Sequence, residues 1–171
     1  MVSPNDALAA QDEVDRIVAA WDRERPDLDP GPLHVFSRIS RLSRRLDLDR
    51  RRAFIGHGLE GWEFDVLSAL RRSGPPYELT AGRLLNETLV SSGTMTNRID
   101  RMVTHGLVVR AAGATDRRVV LVRLTPVGKE KVDAAMAELL DREDALLSVL
   151  DPAEVDQLST LLRRLLAPLD R

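Results

Sequence analysis

The sequence has no cysteine among its 171 residues. This absence excludes disulfide bonds, thiol catalysis, thiol-based redox sensing and cysteine-ligated metals. Histidine is also scarce: His34, His57 and His105 are scattered and do not form the H-E-x-x-H spacing of zinc enzymes. We therefore expect neither a metal nor a cofactor, and we expect these histidines to be ordinary surface or helix-end residues.

Long apolar runs are absent as well. No run approaches the roughly 18–20 residues that are needed to cross a membrane. The first residues, MVSPNDALAAQDEVDRI, are acidic and contain no apolar signal core. A hydrophobic content of 43% with 30% charged residues is typical of a globular domain that has its own core. These features predict a single cytoplasmic domain with no membrane partner.

Charge is unevenly distributed along a chain whose net charge is only −2. Six arginines and two aspartates lie between residues 91 and 123, whereas residues 126–171 carry ten acids and six bases. A basic middle and an acidic end indicate one surface that meets a polyanion and another that does not.

Helix signals recur along the chain. Apolar spacing and caps predict a first helix that starts at Ser3-Pro4 and carries Trp21, and a second helix over about 33–53. Further helices are predicted over about 61–72, 80–89, 91–105 and 126–150, with a last helix that begins at the capping box Asp151-Pro152-Ala153-Glu154. Two Val- and Leu-rich strands, 107–109 and 119–124, flank a loop of small residues.

This order predicts a mainly α-helical fold with a small β-hairpin. Helices 80–89 and 91–105 form a helix-turn-helix, and the hairpin after them is its wing. The expected organisation is a single domain over residues 1–171. Its N-terminal helices occupy 1–56, its winged-helix region 61–124 and its C-terminal helices 126–171. The terminal helices are amphipathic and pack most simply against a second copy of the chain.

The helix over residues 91–105 has two different faces on a helical wheel. Met95, Ile99, Met102 and Val103 form its predicted core side. The opposite side carries Thr94, Asn97 and Arg101, whose side chains suit base edges and phosphates in the major groove. Ser92 and Gly93, near the helix start, complete the predicted DNA-binding set, because the bare backbone of glycine permits close approach to DNA. When these residues are taken alone, a solvated polar face is the better explanation.

The hairpin favours the interpretation as a DNA-binding surface. Arg117 and Arg118 lie beside its tip, where a wing can place a guanidinium group in the adjacent minor groove. Asp116 is placed to brace one of them. A helix and a wing in the correct order are a stronger signal than either feature alone.

The stretch SSGTMTNRIDRMVTHGLVVRAAGATDRRVVLVRLTPVG resembles the recognition helix and wing of the MarR family of bacterial transcription regulators. The match includes a D-x-R element at Asp116 and Arg118, and an L-T-x-x-G element from Leu124 to Gly128. The resemblance implies an obligate homodimer, built from the terminal helices, on a pseudo-palindromic operator with half-sites about one helical turn apart. The sequence departs from the family before the D-x-R element, where it has Gly-Ala-Thr in place of an acidic residue and proline.

The long N-terminal segment further resembles the urate-responsive, or PecS-like, branch of this family. That resemblance implies a site for urate or a similar small anion formed by Trp21, Asp65, Arg98 and Arg110. An anion that stacks on Trp21 and pairs with an arginine would redistribute the contacts of Asp65 and move the recognition helix. Three of these residues also have a simpler explanation: Trp21 in a core or dimer interface, Asp65 in a static ion pair, and Arg110 on a phosphate.

Four functions can be compared with these observations. The preferred one is a dimeric DNA-binding repressor that an anionic ligand releases from its operator. The second is a regulator of the same family with a different ligand, such as a phenolic acid or a carboxylate of central metabolism, or with none. A hydrolase or transferase lacks a recognisable site, and a winged-helix module that binds protein does not explain the arginine-rich wing.

Overall fold

The computed structural model describes residues 11–88, 92–112 and 120–169. Its elements, in chain order, are α1 Glu13–Glu24, α2 Leu33–Gly56, α3 Gly61–Arg72, β1 Glu78–Thr80, α4 Ala81–Thr88, α5 Ser92–Thr104, β2 Val108–Ala112, β3 Val120–Leu124, α6 Pro126–Leu147 and α7 Pro152–Leu166. The chain divides into two compact units within α2, one ending at Leu48 and the other beginning at Asp49.

The first unit contains α1 and the first part of α2. Ion pairs join the two helices: Arg38 Nη2 lies 2.8 Å from Asp15 Oδ1, and Arg41 Nη1 lies 2.6 Å from Glu13 Oε2. The expected helix start at Ser3-Pro4 lies outside the described residues, and the helix that carries Trp21 begins instead at Glu13. Asp12 determines this start, because its side chain accepts hydrogen bonds from the first free backbone N–H groups.

The second unit is built around α3. Phe64, Val66, Leu67, Ala69 and Leu70 of this helix are buried, and α3 contacts α4, α6 and β3. A helix that is apolar on most sides must be enclosed by its neighbours, as its sequence predicts. The core of this unit therefore lies directly behind the helix-turn-helix.

The helix-turn-helix forms as its local signals predict. Thr80 Oγ1 accepts a hydrogen bond from the Arg83 N–H at 3.1 Å and so caps α4. Gly106 ends α5 with a φ of 69°, and the Leu107 N–H reaches back to the Met102 carbonyl at 2.9 Å. This left-handed helix end favours glycine and directs the chain into β2.

The three strands form an antiparallel sheet in the order β1-β3-β2. In the hairpin, Val108 pairs with Leu124 and Ala112 pairs with Val120. The sequence did not predict β1, which has only three residues and pairs Glu78 with Arg123 of β3. Arg123 Nη2 lies 2.7 Å from Glu78 Oε2, so an ion pair reinforces this short edge.

The last two helices start where their caps predict. Thr125 Oγ1 accepts from the Gly128 N–H at 2.9 Å, and Asp151 forms a reciprocal capping box with Glu154. The described part of the chain buries no residue of α7, and the exposed side chains of this helix include Leu161, Leu165 and Leu166. No helix within the described residues is long and apolar enough to cross a membrane.

Candidate nucleic-acid interface and effector site

Helix α5 presents one buried face and one exposed face. Met95, Ile99 and Met102 are at most 2% exposed and anchor the helix in the core. The prediction that Val103 joins them is wrong, because it is 40% exposed. The buried residues repeat at i, i+4 and i+7, and Val103 lies one residue beyond this stripe, at its edge.

The exposed face of α5 carries most of the side chains predicted to contact DNA. Gly93, Thr94, Asn97 and Arg101 are all exposed, and Ser92 begins the helix. A side chain added at Gly93 would meet no atom within 4 Å, so the backbone there is open to close approach. The arrangement presents hydrogen-bonding groups along one side of a helix that is rigidly fixed on the other.

The wing continues from this helix through β2 and β3. Arg117 and Arg118, with Asp116, lie between these strands and outside the described residues. Their predicted contacts with DNA therefore stay predictions.

Arg101 is held by residues at the start of α3. Its Nη2 lies 2.6 Å from Glu60 Oε1, and its Cζ lies 4.9 Å from the centre of the Trp62 ring. Trp62 Nε1 donates a hydrogen bond to the other Glu60 oxygen at 2.5 Å. This hydrogen bond, with the nearby charge of Arg101, holds the pKa of Glu60 below its usual value. Glu60 is therefore charged at neutral pH.

His105 makes a second contact between α5 and α3. Its Nδ1 lies 2.9 Å from Oε1 of Glu63, a residue that is only 2% exposed. The other Glu63 oxygen accepts a hydrogen bond from the Glu60 N–H at 2.9 Å. His105 was expected to be an ordinary helix-end residue, but it satisfies a buried carboxylate. A buried carboxylate without such partners would be strongly destabilising.

Two of the predicted ligand residues, Arg98 and Asp65, lie close enough for the charge of Arg98 to act on the Asp65 carboxyl. The Arg98 Cζ lies 5.4 Å from the centre of the Trp62 ring, so Trp62 contacts both a predicted DNA-binding arginine and a predicted ligand-binding one. Desolvation raises the pKa of Asp65 above its usual value, while the charges of Arg98, Arg50 and Arg72 act in the opposite direction. The desolvation effect prevails, although the Asp65 side chain reaches the surface.

The two remaining ligand predictions lie elsewhere. Arg110 Nη1 pairs with Asp100 Oδ1 at 2.8 Å, which ties the first wing strand to the recognition helix. Trp21 belongs to the first unit and is 49% exposed, so it is not a core residue of the described chain.

A cavity of about 600 Å³ opens beside Asp65 within the second unit. Its apolar wall includes Phe54 and Phe64, whose rings stack with their centres 4.0 Å apart, and its rim includes Arg50 and Arg72. This size and mixed lining are typical of small-molecule sites. Asp65 is the one predicted ligand residue among the described residues that line it. No group of three acidic or histidine side chains in the described residues is placed to hold a metal ion.

Sequence reasoning did not assign functions to Glu60, Trp62 and Glu63. The available signal was weak: Arg98, Arg101 and His105 share one side of a helix, and an acid-rich helix start lies about forty residues earlier. Nothing in the sequence shows that these basic side chains pair with those acidic ones.

The helix-turn-helix, the hairpin beside it and the polar face of α5 define a winged-helix DNA-binding protein. Comparison with known proteins agrees. A family model described as the MarR family matches residues 57–119. The HTH-type transcriptional regulator PecS of Dickeya dadantii is 35% identical over 152 residues, which are 89% of this chain and 92% of PecS.

Two solved structures are also similar. One is a mutant of MarR from E. coli complexed with operator DNA, with a TM-score of 0.60, 26% identity and coverage of 77% of this chain and 98% of that one. The other is described as the mechanism for regulation of DNA binding of Bordetella bronchiseptica BpsR by 6-hydroxynicotinic acid. Its TM-score is 0.63, with 26% identity and coverage of 77% of this chain and 91% of that one.

The chain belongs to the MarR family of transcription regulators, and its relationship to PecS places it in the PecS-like branch. The predicted fold class, mainly α-helical with a winged helix-turn-helix, is confirmed. The enzyme alternative is set aside because the relatives are named as regulators of transcription.

Proposed function

We propose that the protein is a homodimeric repressor that leaves a pseudo-palindromic operator when a small anionic ligand binds. The observation that carries this proposal is the exposed face of α5, where Gly93, Asn97 and Arg101 project opposite a fully buried stripe. Arginine and asparagine recognise guanine and adenine edges in the major groove. The wing arginines Arg117 and Arg118 would add contacts to the adjacent minor groove.

The proposed response to a ligand depends on the surroundings of Asp65. The stacked aromatic wall of the cavity suits a planar ligand, and Asp65 is already costly to ionise there. Arg50 and Arg72 in the lining pair with Glu143 and Glu87, so an anion would compete with these carboxylates for the arginines. An anion that attracts Arg98 would weaken the attraction between Arg98 and Asp65. Because Arg98 lies on the recognition helix, this change would act directly on the DNA-binding element.

Urate is the first ligand to test, because the PecS-like branch is associated with it. The alternative is a different aromatic or carboxylic acid, and the regulation of BpsR by 6-hydroxynicotinic acid favours it. A regulator of this fold with no ligand is the remaining alternative.

Fluorescence anisotropy with labelled DNA from upstream of the protein's own gene tests this function. We expect tight, sequence-preferring binding that urate weakens by about 5- to 150-fold, the usual range of allosteric coupling. Arg117→Ala and Arg118→Ala should weaken binding to every duplex. Wild-type affinity in both wing variants would contradict the role of the wing. Tight binding that neither urate nor a panel of planar acids weakens would indicate a regulator that does not respond to this class of ligand.

A further inference from the structure

Glu60 binds the guanidinium group of Arg101, a residue that is predicted to contact DNA. Its carboxylate lies 2.6 Å from the guanidinium of Arg101, and both side chains are 54% exposed. A guanidinium pairs with carboxylate and phosphate oxygens through the same hydrogen-bond donors. Arg101 must therefore give up or share its contact with Glu60 when it binds the operator.

Trp62 keeps Glu60 in this competing position. Its Nε1–H holds one carboxylate oxygen at 2.5 Å, while its ring lies beneath the Arg101 guanidinium. Glu60 also immediately precedes α3, and its backbone N–H is bound by the buried carboxylate of Glu63. Both the side chain and the backbone of Glu60 are thus fixed by the protein, so the competitor is preorganised and not a random surface charge.

We propose that Glu60, positioned by Trp62, is an internal competitor of the operator for Arg101, and that it sets the affinity of the recognition helix for DNA. This inference rests on the proposed function, because it requires Arg101 to contact DNA. Exposed ion pairs change an equilibrium by up to about fivefold, so the competition is strong enough to measure and weak enough for DNA to overcome.

The test combines Glu60→Gln with Arg101→Ala in a double-mutant cycle, read by anisotropy of the operator duplex. Glutamine keeps the size of the side chain and an oxygen that accepts from Trp62, so we expect the melting temperature to fall by no more than about 2–4 °C, the effect of the lost ion pair. Glu60→Gln should tighten binding about threefold to fivefold. The gain should disappear in the Arg101→Ala background, apart from a general charge effect.

Glu130→Gln measures that general charge effect. Glu130 is an exposed residue of α6, and the substitution removes the same charge by the same chemical change. Removal of its charge should change affinity equally with and without Arg101. A Glu60→Gln gain that is no larger than the Glu130→Gln gain, or that persists in Arg101→Ala, would overturn the proposal. Weaker binding by Glu60→Gln would also overturn it, because Glu60 would then prepare Arg101 for DNA.

The cycle separates failure of this inference from failure of the proposed function. If Arg101→Ala binds the operator like the wild type, Arg101 is not a DNA contact and both proposals fail for this residue. If Arg101→Ala weakens binding and Glu60→Gln shows no Arg101-dependent gain, only the competition fails.

Tryptophan emission gives an independent measurement. The chain has two tryptophans, so Trp62 is the only tryptophan in the Trp21→Phe variant. Saturating operator should shift the Trp62 emission as Arg101 leaves the ring. The same duplex at saturation should leave the emission unchanged in Trp21→Phe/Arg101→Ala. Equal shifts in both proteins, or no shift in either, would contradict displacement of Arg101 from Trp62 by the operator and would overturn the proposal.

Discussion

Asp65 is a carboxylate that the fold makes costly to ionise. Its pKa is raised by desolvation, so its charged form is less stable in the folded protein than in the unfolded chain. The free energy of unfolding therefore falls as the pH rises from the ordinary aspartate pKa of 3.8 through the raised pKa of Asp65, because the carboxyl becomes charged over this range. The protein retains this cost beside a cavity with arginines on its rim, which is consistent with a functional role.

Replacement of Asp65 by asparagine should therefore stabilise the protein at neutral pH. The gain should be less than about 1 kcal/mol, because the side chain reaches solvent and neighbouring arginines offset part of the cost. Chemical denaturation at pH 7 and near pH 4 checks this prediction, and the gain should be smaller at the lower pH. The same variant should bind operator DNA while its response to a ligand is blunted. An unchanged ligand response would remove Asp65 from the effector mechanism.

Single residues show what the sequence could predict and what it could not. Gly106, Thr80 and Thr125 act on neighbours within a few positions, so their roles as helix ends and caps follow from local sequence. The partners of Arg101 and His105 lie about forty residues earlier, on another element. Their pairing depends on how α3 and α5 pack, and the one-dimensional pattern does not contain that information.

Two helical glycines differ in what surrounds them. A Cβ at Gly128, in the first turn of α6, would collide with the Leu107 carbonyl oxygen and lie 3.1 Å from Leu124 Cδ1. A Cβ at Gly93, in the first turn of α5, would meet no atom within 4 Å. Gly128 therefore permits α6 to start against the end of the recognition helix, whereas the protein interior does not require glycine at position 93.

Alanine substitutions at these glycines should have opposite effects on stability. Gly128→Ala should lower the free energy of unfolding by about 1–3 kcal/mol, the usual cost of overpacking. Gly93→Ala should raise it by up to about 1 kcal/mol, because alanine is the better helix former. If the Gly93 backbone approaches DNA closely, the same change should weaken operator binding. Thermal unfolding and anisotropy measure the two effects, and tight binding by Gly93→Ala would place DNA farther from this turn.

The sequence predicts the elements that have strong local signals, but it does not predict an element whose local signal is weak. Helix α3 was predicted at its observed bounds, because glycine residues and a proline-rich turn flank a continuous apolar segment. Strand β1 was missed, because three residues carry no periodicity and the strand exists only through its pairing with β3. The helix that carries Trp21 begins at Glu13 because Asp12 and Asp15 form a capping box, a signal as local as the Ser3-Pro4 pair, which lies outside the described residues.

Within the described residues, α7 carries a row of exposed leucines. Leu158, Leu161, Leu162, Leu165 and Leu166 are each between 37% and 54% exposed, although α7 is a regular capped helix. Contiguous leucines of this kind mark an interface with another protein surface. A second copy of the chain is the proposed occupant, since two recognition helices are needed to read two half-sites.

Leu165→Glu should convert the proposed dimer into a monomer. The leucine is 47% exposed within the chain, so the new carboxylate stays solvated in the monomer and is desolvated only in the interface. Gln157→Glu is the matched control, because it adds the same charge at an exposed polar position of α7. Sedimentation equilibrium should give the 19.1 kDa chain mass for Leu165→Glu and twice that mass for the wild type and the control.

Loss of the dimer should also weaken binding to the full operator far more than binding to a single half-site. Linkage of two recognition helices raises affinity on the order of 100-fold or more without any new contact, and a monomer loses that gain. Circular dichroism should show unchanged helix content, because the changed side chain lies outside the core of the chain. A Leu165→Glu protein that remains dimeric and binds the full operator like the wild type would place the interface elsewhere. The exposed apolar residues of α2, such as Phe36 and Ile39, would then be the next surface to test.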